Sequence, residues 1–148
     1  MEKNKERVIS VLNGLIETCK DGEKGFREAA EWISNAFYQS LFNDYARQRG
    51  QFASRLQAQV RELGSEPDRK GSVAGAVHRG WLNLKSAIAR KNDQSIIAVC
   101  RRGEEAAIEN YEAALKADLP EVVMSLVESQ YQVIKEQHHR IQAMLEKR

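Results

Sequence analysis

The chain has 148 residues, 42% of them hydrophobic and 30% charged, with a formal net charge of +2. That length suits one ordinary domain with a real hydrophobic core, and so small a charge gives no argument for nucleic acid by itself. No apolar run approaches the ~18 residues of a membrane span, while two prolines, nine glycines and many Ala, Leu, Glu, Lys, Arg and Gln residues point to an all-helical protein.

Val8, Leu12, Leu15, Cys19, Phe26, Ala30 and Ile33 recur at helical steps and predict a first helix over about 5–33. Asn35 is suited to cap the second, which Tyr38, Phe42, Tyr45, Phe52, Leu56, Val60 and Leu63 mark over about 36–63. "GSEPDRKGS" reads as a loop, and a shorter crossover helix is expected over about 74–90. Asp93 is placed to cap a third long helix over about 94–117, through Ile97, Cys100, Ile108, Tyr111 and Leu115. Pro120 opens a fourth, over about 121–147, carried by Val123, Val127, Ile134, Ile141 and Leu145. The short links make helices one and two, and three and four, antiparallel hairpins. The long link between the pairs can travel the height of a bundle, the single crossover of ferritin-like topology. The expected architecture is an all-α, ferritin-like four-helix bundle over the whole chain.

Cys19 and Cys100 sit in apolar-periodic runs without a CxxC, as buried reduced thiols would. The N-terminal "MEKNKERVIS" lacks an apolar h-region, so no secretory leader is expected and the expected location is cytoplasmic.

Glu136 and His139 form a Glu-x-x-His, the spacing with which di-iron carboxylate bundles grip metal. Placed at helical phase, however, Glu136 lies roughly 160° and His139 about 140° from the apolar stripe of its helix. The middle of the second helix, "DYARQRGQFASRLQ", holds no His or Glu, so the twin motif is missing. The same phasing turns Arg49 and Glu104 into the centres of their apolar faces, near mid-helix. A buried guanidinium demands a carboxylate, which predicts an Arg49–Glu104 ion pair with Glu23, Tyr111, Gln130 and Gln137 as hydrogen-bond partners. The competing reading lets Arg49 snorkel to the surface. His138, at the edge of the inward stripe, reads as a surface-flanking or tyrosine-paired histidine. Gly22 faces the core of helix one, where it permits close approach or a bend.

In the crossover segment "GSVAGAVHRGW", small residues permit tight passage over the bundle, Trp81 can anchor it, and His78 and Arg79 can cap neighbouring helix ends. From Pro67 to Lys91 the charges are basic except Asp68, a flank that could meet an anion, although a solvated face is the commoner explanation.

Together "LNGLIETCKDGEKGFREAAE", "GSVAGAVHRGW", "GEEAAIENYEAAL" and "HHRIQAML" resemble a family of small bacterial ferritin-like four-helix-bundle proteins of unknown function. The resemblance implies the bundle with its helical crossover and an association with stress or redox-limited growth. It supplies no catalytic residues to carry over. The leading expectation is therefore a non-catalytic, metal-free, cofactor-free bundle with a stress-related or interaction role, for which a homodimer is one admissible assembly. One alternative is a divergent iron-binding, di-iron-like protein using Glu23, Glu104, Glu128, His138 and His139. Another is anion or nucleic-acid binding through Arg79, Lys85 and Arg90 of the crossover.

Overall fold

The computed structural model describes residues 2–67 and 80–146. His78, Arg79 and the start of the expected crossover helix, residues 74–79, lie outside the described residues. Five helices are described: α1 (Glu2–Trp32), α2 (Ala36–Glu62), α3 (Leu84–Ala89), α4 (Asp93–Leu115) and α5 (Glu121–Glu146).

Local chemistry sets the boundaries. The Asn35 side chain accepts from the Tyr38 N–H at 3.1 Å and caps α2. At its far end α2 stops at Gly64, whose φ of +84° is a left-handed conformation that glycine takes without strain. The expected cap of α4 is corrected: Asn92, not Asp93, accepts from the Gln94 N–H, at 2.9 Å. Asp93 is the first helical residue, so its carboxylate is free to reach across the bundle. It accepts from the Ser34 N–H and hydroxyl, both at 2.8 Å, and from the Asn35 N–H at 3.1 Å. This pins the α1–α2 turn to the start of α4.

Cross-helix contacts give the direction of each helix. Along α1 and α4, Cys19 meets Tyr111 and, one helix length on, Ser34 meets Asp93. Rising numbers on one helix meet falling numbers on the other, so the two are antiparallel. Along α2 and α5, Gln48 meets Gln137 and Phe52 meets Gln130, again antiparallel. Helices α2 and α4 therefore run in the same direction on the bundle's diagonal, and the chain between them must climb its full height. That is the ferritin-like four-helix bundle with a long crossover.

The apolar interior falls into two clusters. One is aromatic, with Phe26, Phe42, Tyr45 and Trp81 among its members, at the end holding the α1–α2 turn. The other is mainly aliphatic, with Leu12, Leu15, Leu56, Val123 and Val127, at the opposite end. Between them lies a band of buried polar side chains. Among the described residues no helix is long and apolar enough to cross a membrane.

Candidate functional site

The polar band centres on Arg49, which is 1% exposed, and Glu104, which is wholly buried. Each sits mid-helix on the inward face of α2 or α4, so the diagonal geometry aims both at the bundle axis. Arg49 Nη2 donates to Glu104 Oε1 and, at 3.0 Å, to Gln137 Oε1. Gln137 Nε2 donates in turn to Gln48 Oε1. The guanidinium carbon also lies 5.4 Å from the centre of the Phe26 ring, within cation–π range.

Space for this cation comes from Gly22 on α1. A Cβ there would stand 2.9 Å from Arg49 Nη1, so any larger residue would press on the guanidinium. Burial works against the Arg49 charge, but attraction and hydrogen bonding to Glu104 outweigh it and hold the cation. Burial pushes the Glu104 carboxyl above the ordinary carboxylate range, against the charge and hydrogen bond of Arg49.

The remaining expected partners are engaged elsewhere. Glu23 accepts from Arg27 at 3.1 Å on its own helix, because its position on the flank of α1 leaves it partly in solvent. Its Oε2 also covers Gly50, where a Cβ would come within 2.6 Å. Tyr111 and Gln130 form a second chain of contacts. The Tyr111 hydroxyl donates to Gln130 Oε1 at 2.7 Å and lies 3.1 Å from Cys19 Sγ. Gln130 Nε2 reaches the Phe52 carbonyl at 3.3 Å. Phase placed these side chains inside without deciding which would meet, since adjacent inward residues share almost the same phase.

The alternative ligand set is not assembled. Glu128 and His139 are exposed on the outer faces of α5. His138 lies 3.0 Å from Glu105 of α4, so its partner is a carboxylate rather than a tyrosine. Glu136 is exposed as well. Among the described residues no three His, Cys, Asp or Glu side chains gather as a metal-binding group. The residues at mid-bundle do not fit iron: a single carboxylate, Glu104, is already neutralised by a guanidinium, and an incoming cation would meet Arg49. Both thiols are free and buried.

Of the crossover motif, Trp81 is described. Its ring fills a slot made by Gly25 of α1 and Gly103 of α4, where a Cβ on either glycine would overlap it. Phe26 packs against it edge-to-face, with ring centroids 5.0 Å apart and the planes at 76°. Two glycines inside long helices were the available sign of such a slot. The sequence alone did not say which large side chain would enter it.

This bundle is similar to a solved structure of a mutant of Mycobacterium smegmatis Dps1, with a TM-score of 0.77, 14% identity, and coverage of 98% of this chain and 99% of that one. Identity so low speaks for the fold alone. No curated protein matches the chain. Residues 7–117, from α1 through the crossover to just past α4, match the family described as "Domain of unknown function (DUF2383)", and the chain belongs to that family.

Proposed function

We propose that the chain is a metal-free, non-catalytic member of the ferritin-like fold that acts through its surface, as a cytoplasmic, stress-related interaction protein able to pair as a homodimer. The observation that carries this reading is the Arg49–Glu104 ion pair, buried at 1% and 0% exposure in the middle of the bundle. A fixed guanidinium supplies there the positive charge that a metal ion would supply to a carboxylate. The thiols support the same reading. Burial pushes the Cys19 thiol up to about 11 and the Cys100 thiol well above its ordinary value, leaving neither as a thiolate nucleophile at neutral pH. Trp32 and Phe37, 59% and 67% exposed at the α1–α2 turn, are apolar surface of the kind an interaction role would use.

The test is elemental analysis of protein loaded anaerobically with ferrous iron and then desalted. The expected result is no stoichiometric metal. Tightly held metal at one or more equivalents per chain would overturn the reading and restore the iron-binding alternative.

A further inference from the structure

A groove of about 640 Å³ opens between the crossover helix α3, the first half of α4 and the end of α5. Its wall carries Arg90 from the crossover and Arg101 and Arg102 from α4, with Asn83, Ser86 and Ser95 among them. The one carboxylate lining it, Glu146, is engaged by Gln142 at 3.3 Å. Neither Arg90 nor Arg102 has an ion-pair partner among the described residues. Arg101 stands 3.8 Å from Glu105, too far for a hydrogen bond, and Glu105 is already contacted by His138 at 3.0 Å. Arg101 Nε is buried without a hydrogen-bond partner, so what Arg101 offers the groove is the outer end of its guanidinium.

We propose that this groove binds a small phosphate-bearing anion. Guanidinium forks match phosphoryl oxygens, and the serine, asparagine and glutamine side chains suit the polar body of such a ligand. The volume lies within the range of small-molecule sites, about 300–1,000 Å³. Nucleic acid fits less well, because among the described residues the crossover's Arg90 and Lys85 do not line one surface. Lys85 lines a different cavity, together with Asp21, Lys24 and Glu28. Duplex binding relies on an extended row of phosphate contacts, whereas these three arginines converge on a concavity.

The experiment is calorimetric titration of the full chain with inorganic pyrophosphate at low ionic strength. One saturable site is expected. Arg101→Gln with Arg102→Gln should weaken it by about tenfold or more. Ala98→Phe fills the groove without changing charge and should abolish binding. Arg55→Gln with Arg61→Gln removes the same charge from the exposed side of α2 and should leave binding intact, each variant first being checked for a cooperative melt. Absence of saturation overturns the proposal, as does equal loss in the α2 variant or undiminished binding in Ala98→Phe. A duplex oligonucleotide that outcompetes pyrophosphate for the same arginines would also overturn it, in favour of nucleic acid.

Discussion

Cys19 shows how far a single side chain's chemistry is set by its surroundings. Its thiol is completely buried beside the Tyr111 hydroxyl, and burial raises its pKa from 9.0 to about 11, against the Tyr111 hydrogen bond and the Arg49 charge. Burial likewise raises Tyr111 and Cys100 well above their ordinary values. The sign for stability follows from linkage. An unfolded thiol begins to ionise near pH 9.0, while the folded Cys19 keeps its proton to about 11. Its contribution is therefore complete below pH 9 and is lost as pH climbs to 11, by on the order of 2 kcal/mol. The melting temperature should fall across that window, and Cys19→Ser, which keeps a hydroxyl for Tyr111, should make the fall shallower. An unchanged slope would mean that Cys19 is not held as a buried thiol. Thiol-reactive reagent should label neither cysteine until the protein unfolds.

At the scale of elements, the crossover is held by a ring in a slot. At Gly80 a Cβ would stand 3.1 Å from the Arg102 carbonyl oxygen and the Gly103 Cα, so a residue without a side chain leads the crossover in close to α4, and Trp81 then inserts between α1 and α4. Helix propensity alone would make Gly103→Ala stabilising by about 1 kcal/mol. The overlap with Trp81 reverses the sign, and a loss of roughly 2 kcal/mol is expected from overpacking. Trp32 is already 59% exposed and is one of only two tryptophans, so the change is best followed in a Trp32→Phe background. There, Gly103→Ala should red-shift the emission of Trp81 as the ring leaves its slot. Unshifted emission with raised stability would show that the slot tolerates a methyl group. Asp93 acts at the same scale, since its three hydrogen bonds to Ser34 and Asn35 join two helix ends that are distant in sequence.

Across the whole molecule, the Arg49–Glu104 pair separates the aromatic cluster from the aliphatic one. Removing one partner leaves an uncompensated charge in that seam, so Glu104→Ala should cost on the order of 3 kcal/mol in urea denaturation. Replacing both, as Arg49→Met with Glu104→Leu, would join the clusters and should leave the protein as stable as before, or more stable by about 1–4 kcal/mol. A loss below about 0.5 kcal/mol for Glu104→Ala would mean that Arg49 does not depend on a buried carboxylate. A double variant no more stable than Glu104→Ala would show that the network around Gln137 and Gln48 needs the cation.

Helical periodicity, the Asn35 cap and the length of the α2–α4 link were enough, read from the sequence, to give four long helices and a crossover, because those signals are local or depend only on chain length. Phase also turned Arg49 and Glu104 toward the centres of their apolar faces, and the observed burial of both decided against the snorkelling alternative. Pairing was decided by the tertiary structure. Asp93 looked like a cap and became a tether, Glu23 turned to Arg27, and Tyr111 chose Cys19 and Gln130. The slot for Trp81 and the arginine groove each draw on several elements. Their existence depends on distances across the bundle, which a one-dimensional pattern does not carry.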